Sequence, residues 1–521
     1  MYLKISYLIL VLTLTYQCQG QNTTSTLDYN NVSATINNFG TLFTKPSTTS
    51  AGYEVPKGAG AHIIYSSSFW FGGQDNNGQI YVCANRFVNY GPDLYPGPIS
   101  NDYNLASYQS TYNSIWTMTK SEVINHINNF SQVGYSPSQN ILNWPGNGNT
   151  SNGEAAKLAP YVDANNNGTY DPINGDYPNI RGDEAQFFIV NDDGPHQSSG
   201  GNNMKLEIHF MLYQYASNNY LNNTTFINLH VFNRSQTTYH NFKVANYVDH
   251  DIGSSVDDYT GCSPENNMIF GYNGDNDDNT SGGVQYGLNP PAVGIKLLNH
   301  TMGVAGYYNN AGGAQGDPNG DLGFWNFMNA TWSDGTHFTE GGSGYGGVIN
   351  TNYLYPGHPT DQNSWNETTE NNVPADRRMY MVANSIGSFS PGESVCYDFA
   401  VLYSKIGDHL QNAANLYNLA GNVQAFYNAQ DYTSCNANYV SVDKQNLESS
   451  FKVYPNPTVG SFKIDFEGEF DLELYNLHGQ KLFTKSKMNS NQTVDIELVK
   501  GIYIANILQN DRQFFKKLIV E

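Results

Sequence analysis

Positive charge is scarce in this sequence. Its 521 residues include 24 Lys and Arg against 46 Asp and Glu, a net charge of −22. An excess of that sign repels nucleic acid and anionic membranes alike, so neither is expected as a partner. Cysteine is rarer still. Cys18 sits in the leading apolar stretch, and Cys83, Cys262, Cys396 and Cys435 are widely spaced with no CxxC pair, which argues against thiolate zinc sites and dithiol redox motifs. After residue 20 no run approaches the roughly 18–20 apolar residues of a membrane-crossing helix, so no transmembrane segment is expected. HExxH, GxSxG and P-loop motifs are absent, which removes the common local signatures of metallopeptidases, serine esterases and nucleotide hydrolases. Enzymes whose groups are assembled only by the fold, such as glycosidases with two carboxylates, stay open.

What is abundant points to strands. With 50 Gly, 39 Tyr, 14% aromatic and only 13% charged residues, the composition favours pleated, half-buried surfaces joined by tight turns. The expected fold class is mainly β, a large antiparallel β-sandwich with a few helices plus a small C-terminal Ig-like sandwich. The first 20 residues, MYLKISYLILVLTLTYQCQG, set one Lys before an apolar run and small residues at Cys18 and Gly20, the pattern of a secretory signal peptide. A lipid anchor on Cys18 is disfavoured by the bulky Tyr16 and Gln17 before it. Export to an oxidising compartment predicts at least one disulfide. Cys396 and Cys435 are the most available pair, because the helix predicted between them can fold back on its own strand.

Charge also divides the chain. Residues 451–521 hold nine Lys/Arg and nine Asp/Glu, whereas residues 21–450 hold 14 and 37, and such a break marks a domain boundary. The neutral tail reads as short strands (FKVYPNP, GSFKIDF, FDLELYNLHGQKLFT, TVDIELVKGIYIANILQN, RQFFKKLIVE) bounded by Gly, Asn or Pro, enough for one small sandwich. Polar residues 431–450 read as a linker, which leaves 21–430 as a β-rich body. In that body, Gln74 to Gly78 predicts a hairpin turn. Thr119 with Glu122 predicts a capped amphipathic helix over 117–130. Residues 204–216, 224–235 and 240–253 predict long strands of stacked antiparallel sheets. A second helix is expected at about 407–429, weakened by Gly421.

Several clusters invite a chemical reading. YVDANNNGTYDPINGDYP, residues 161–178, places oxygen-bearing side chains at Asp163, Asn165, Asn167 and Asp171, with Gly168 turning the chain and Thr169 offering its carbonyl. This is the positional logic of an EF-hand-like calcium loop. Where a bidentate Glu is expected stands Asn174, with Asp176 as a substitute two residues on; the competing reading is an Asx-rich turn. A second calcium cluster is expected at Asp249, Asp251, Asp257 and Asp258. His196, His209, His230, His240 and His250 fit no zinc spacing and read as ordinary surface or core residues. TWSDGTHF (331–338) reads as a turn. ADRRM (375–379) reads as arginines forking onto carboxylates, with a substrate clamp as the sharper alternative.

Two resemblances complete the sequence reading. YPNPTVGSF (454–462), LYNLHGQKL (474–482), LVKGIYIANI (498–507) and the closing KKLIV resemble, in order, the C-terminal sorting domain of type IX secretion in Bacteroidetes. The resemblance implies Sec transfer, then outer-membrane passage through type IX machinery that reads residues 451–521, and a secreted or outer-membrane cell-surface location. SSFWFGGQDNNGQI (67–80), DLYPGPIS (93–100), residues 161–192, VDHDIGSSVDDYTGC (248–262), YGLNPPAVG (286–294) and PADRRMYM (374–381) resemble large extracellular cargo proteins of that system, a likeness that implies no chemistry. The expected function is that of a non-catalytic extracellular or surface protein in adhesion, surface coating or glycan contact, with structural calcium. The alternative is a secreted polysaccharide-degrading hydrolase using paired carboxylates.

Overall fold

The computed structural model describes residues 23–86, 91–279, 284–430, 432, 451–466, 468–476, 481–509 and 512–521. The expected signal peptide, the linker apart from Tyr432, residues 477–480 of the LYNLHGQKL motif, and Cys435 lie outside them. The chain forms two compact units, Met1–Val440 and Ser441–Glu521.

The first unit is built on two antiparallel sheets. The larger, of nine strands, runs in the order Trp116–Thr119, Glu184–Asn191, Leu206–Gln214, Thr225–Asn233, Ser394–Ser404, Ala292–Leu297, Met268–Asn273 and Asp258–Ser263, with Tyr95–Pro96 added on Glu184–Asn191. The smaller, of six, runs Met302–Asn309, Arg377–Ala383, Tyr239–Asp249, Ser66–Gln74 and Ile80–Ala84, with Ser388–Phe389 added on Tyr239–Asp249. Period-two alternation decides which side of each strand is core. Leu206, Ile208, Phe210 and Leu212 share one cluster with Ile227, Leu229 and Val231 and with Phe69, Phe71, Val244 and Val248 of the smaller sheet. Phe69 bridges the sheets, its ring centroid 5.8 Å from that of Phe210 and 5.2 Å from that of Phe399.

Both outer faces are covered too, which accounts for the aromatic content. On the smaller sheet, Trp70, Tyr247, Tyr308 and Tyr380 form a second core with Phe324 and Phe327 of the helix Gly320–Phe327 and with Trp332. Trp70 stacks on Tyr247 at 5.8 Å and meets the edge of Phe324 at 4.9 Å. Trp332 belongs to TWSDGTHF, which is a turn: Trp332 N donates to Thr336 O at 2.8 Å, and Thr336 N to Asp334 Oδ1 at 2.9 Å. One half of the larger sheet's outer face takes the helix His409–Ala429, which buries Ala413, Leu416, Ala420 and Val423 and is capped by Asp408. Gly421 in this helix faces open space, so a missing side chain there costs no packing. The other half is covered by the segment between Pro96 and Gly182. This segment contains the helix Lys120–Asn129, whose Thr119 and Glu122 make the reciprocal capping box.

Cys396 is disulfide-bonded, while Cys83 and Cys262 are free and buried. The second unit stacks a three-stranded sheet (Lys452–Tyr454, Ser461–Asp465, Thr493–Asp495) and a four-stranded sheet (Lys481–Met488, Phe470–Asn476, Gly501–Gln509, Arg512–Val520). Its core holds Phe462, Ile464, Leu472, Leu474, Ile507 and Leu518.

Because Trp70 is fully buried and lies where the sheet meets its aromatic cover, Trp70→Ala is expected to cost about 3–5 kcal/mol of stability. Urea denaturation of the body followed by circular dichroism checks this; an unchanged midpoint would contradict the packing described.

Candidate functional site

The segment over the larger sheet leaves two hollows. The edge strand Trp116–Thr119 pairs with Glu184–Asn191, placing Trp116 opposite Phe187. Beside it the short helix Gln139–Leu142 starts at Ser138, whose Oγ accepts from Ile141 N, and the chain then runs on through Trp144. Between them lies a cleft of about 740 Å³ lined by Trp116, Trp144, Tyr170, Asn140, Asn143, Asn147 and several hydroxyl side chains. Its walls are fixed by hydrogen bonds. Trp144 Nε1 donates to Pro160 O at 3.0 Å, and Tyr170 Oη donates to Ile141 O at 2.6 Å. Asn147 clamps Tyr170 twice, donating from Nδ2 to its carbonyl at 2.9 Å and accepting from its N–H at 2.8 Å. No Asp, Glu, His, Lys or Arg is among the described lining residues.

The second hollow, of about 270 Å³, is walled by Lys157, Tyr161 and Asn179 and floored by the strand residues His209, Asn228, His230 and Phe232, with Arg234 just past the strand end. His209 and His230 stand opposite one another in register. His209 Nε2 lies 3.1 Å from Glu207 Oε1, which also accepts from Arg234 at 2.7 Å. Burial works against the Glu207 charge, but His209 and Arg234 outweigh it and hold the carboxyl down at about 2. His230 is pushed down to about 3 by burial and by the charges of His209 and Arg234. His209 is only 3% exposed and is paired with Glu207, so this pair braces the sheet beneath the hollow. His240 and His250 lie elsewhere, on Asn76 and Ser388 and on Tyr259 O respectively.

Between the two hollows lies the loop of residues 161–178, and it brings its oxygen-bearing side chains together. Asp163 accepts from Asn167 N at 3.1 Å and from Gly168 N at 2.7 Å. Asp171 accepts from the side-chain amides of Asn165, Asn167 and Asn174. Buried Asp176 accepts from Ala164 N at 2.8 Å and Asp171 N at 2.9 Å. Thr169 contributes its N–H to Asn167 Oδ1. Burial pushes Asp176 up, whereas the amide of Asn174, first among several donors, holds Asp171 down. As it stands the loop is an Asx-rich turn whose carboxylates are all satisfied by N–H donors.

The second acidic cluster is assembled differently. Asp249 ends the strand Tyr239–Asp249, and its carboxylate lies with those of Asp251 and Asp376 so that one oxygen from each is within 4.8 Å of the others. Asp376 escaped the sequence reading of this cluster; only its pairing with the arginines was legible. Both arginines do fork onto carboxylates: Arg377 onto Glu367 at 2.8 Å, and Arg378 onto Asp376 at 2.9 Å and Asp249 at 3.4 Å. Asp257 and Asp258 lie outside the group of three, Asp258 instead accepting from Ile252 N at 3.0 Å.

Cys83, Asp192 and His196 make a further close group, and here every role is taken. Asp192 accepts from Met204 N and Leu206 N, each at 2.6 Å. His196 Nδ1 faces Val82 O at 2.9 Å, and Nε2 faces Asp192 O at 3.2 Å and its carboxylate at 3.4 Å. Burial pushes the imidazole down, but Asp192 and Asp93 outweigh it and raise His196 to about 9, while burial pushes the Cys83 thiol up. The group is a buried ion pair beside an inert thiol.

Comparison with known proteins bears on both units. The secretion system C-terminal sorting domain matches residues 452–521, the seven-stranded tail. The protein is therefore a type IX secretion cargo, secreted or held at the cell surface. An ulvan lyase of Nonlabens ulvanivorans is 26% identical over 185 residues, which is 34% of this chain and 29% of that enzyme; the chain thus matches under a third of that relative's length. Among solved structures, a polysaccharide lyase aligns with 60% of this chain and 34% of its own, at 9% identity and a TM-score of 0.18. No helix among the described residues is long and apolar enough to cross a membrane.

The His196 ion pair predicts a pH dependence. Its folded value lies above the ordinary 6.5, so the stability it contributes is complete below pH 6.5 and lost as pH rises toward 9, on the order of 3 kcal/mol. Denaturation midpoints should fall over that window in the native protein and fall distinctly less in His196→Asn. A native midpoint that does not fall contradicts the imidazolium assignment.

Proposed function

We propose that the body is a glycan-binding unit carried outside the cell by type IX export, with the cleft at Trp116 and Trp144 as its binding site. The observation that carries this is the lining of that cleft. Its volume of about 740 Å³ falls in the range of small-ligand sites. Sugars offer hydroxyls and an apolar face: the exposed amides of Asn140 and Asn143 supply donors and acceptors, Asn147 being held on Tyr170, and half-buried Trp116 supplies a stacking surface. The described lining holds no carboxylate or imidazole to act as general acid or base, which favours binding without cleavage. A neutral glycan also suits a body whose acidic charge repels polyanions.

The likeness to an ulvan lyase favours a second reading, in which the bound polysaccharide is cut. It requires a base within reach of the chain, and the carboxylates beside the cleft are engaged by side-chain amides: Glu122 Oε1 accepts from the lining Asn140 Nδ2 at 3.0 Å, and Asp171, between the lining Tyr170 and Pro172, accepts from Asn165, Asn167 and Asn174.

Calcium in the loop 163–176 belongs to the same proposal. The loop touches both hollows, since Tyr161 Oη donates to Gly168 O at 3.2 Å and Tyr170 is clamped by Asn147. A cation taken up by Asp163, Asp171 and Asp176, with the amides of Asn165 and Asn167 turned to present oxygen, would stiffen the shared wall.

Presented to a glycan array and a polysaccharide-degradation panel, the full-length protein should bind a neutral polysaccharide without releasing products. Trp116→Ala and Asn143→Ala should each weaken binding about tenfold, or about 1.4 kcal/mol, with melting unchanged in Asn143→Ala and lowered in Trp116→Ala, which also loses the ring contact with Phe187. Product release would establish the second reading instead, and no binding would remove both. Millimolar calcium after chelation should raise the melting temperature. Asp163→Ala with Asp171→Ala should erase the loop's share of that rise; an unaltered rise would leave the loop a plain turn.

A further inference from the structure

We propose that Asp249, Asp251 and Asp376 hold a divalent cation of calcium size, independently of the loop 163–176 and of any glycan. Three observations converge. The group has one oxygen from each carboxylate within 4.8 Å of the others, a span that an ion with bonds of about 2.3–2.6 Å bridges. Asp249 is 2% exposed, and its Oδ1 has no hydrogen-bond partner among the described residues. A buried, unsatisfied carboxylate oxygen is costly unless something cationic or protic meets it. Charge is also unbalanced, because a single guanidinium, Arg378, pairs with Asp249 and Asp376, while Asp251 carries no ion pair among the described contacts.

The contrast with the loop is informative. There every carboxylate is saturated by N–H donors, so the fold is complete without an ion. Here Asp376 accepts from Asn310 Nδ2 at 2.8 Å, but Asp249 Oδ1 meets no donor among the described residues. Burial first, and then Asp376 and Asp317, raise Asp249 to about 7 despite Arg378, and burial with Asp249 and Asp376 raises Asp251 as well. Either protons or a metal must relieve this strain. Asp376 is 27% exposed at its side chain, so solvent can deliver an ion. Bound there, the ion would fasten three stretches of chain: the end of Tyr239–Asp249, the turn after it, and the approach to Arg377–Ala383.

Asparagine at Asp251 separates metal from proton by sign. The test uses full-length protein carrying Asp163→Ala and Asp171→Ala, so that the loop is silent, with calcium chloride or EDTA. Calcium should still raise the melting temperature in this background, and equilibrium dialysis should find a single bound equivalent. Adding Asp251→Asn should raise the melting temperature in EDTA, because repulsion is relieved, yet abolish both the calcium shift and the bound equivalent. If the cluster takes protons, Asp251→Asn stabilises equally with and without calcium and no equivalent is bound. That result overturns the proposal, as does a calcium shift that survives the substitution. Should Asp251→Asn fail to fold, the more exposed Asp376→Asn gives the same two readouts.

Discussion

A guanidinium buried against a carboxylate ties several elements of the body together. Arg181, just after the loop that separates the two hollows, reaches Asp398 at 2.5 Å with both side chains almost fully buried. Asp398 sits on a central strand of the larger sheet and also accepts from Asn228 at 2.8 Å and from Tyr427 at 2.5 Å. One carboxylate therefore joins the covering segment, two neighbouring strands and the long helix His409–Ala429. Charge-assisted hydrogen bonds of this kind fix geometry as well as energy, and a buried charge that loses its partner is strongly destabilising. This joint ties the end of the covering segment to the sheet beneath it.

The same economy of positive charge recurs elsewhere. Arg234 holds Glu207 beneath the second hollow, Arg377 holds Glu367, and Arg378 is shared between Asp249 and Asp376. These arginines are all directed at internal carboxylates, so the acidic surplus of the body is left to water or to metal. Where one guanidinium serves one carboxylate the site is closed. Where it must serve two beside a third, an oxygen is left over.

Local features were legible in the sequence because their causes are local. The hairpin around Asp75, the capping box at Thr119 and Glu122, the helix after Asp408, the TWSDGTHF turn and the convergence of Asp163, Asn165, Asn167, Asp171 and Asp176 all lie within a few residues of one another. Contacts set by sheet topology were not legible. Nothing near Asp249 announces Asp376, over a hundred residues away, because the two meet only through the register that sets Asp249 opposite Arg378. For the same reason Asp257 and Asp258 looked like natural partners of Asp249 and Asp251, whereas the strand that begins at Asp258 belongs to the other sheet. The cleft at Trp116 and Trp144 was equally hidden, being assembled from separate stretches whose composition is unremarkable.

The described lining of that cleft carries no charged group, which bears on its response to salt. At about physiological ionic strength, forces between exposed charges fade beyond roughly 8 Å and shrink further as salt rises, whereas stacking and amide hydrogen bonds are left nearly untouched. An occupant held only by Trp116 and its amide neighbours would stay bound in fresh water and in brine alike. The acidic exterior around it would lose its long-range repulsion as salinity climbs, so crowding of such particles on a shared surface becomes easier in the saltier medium.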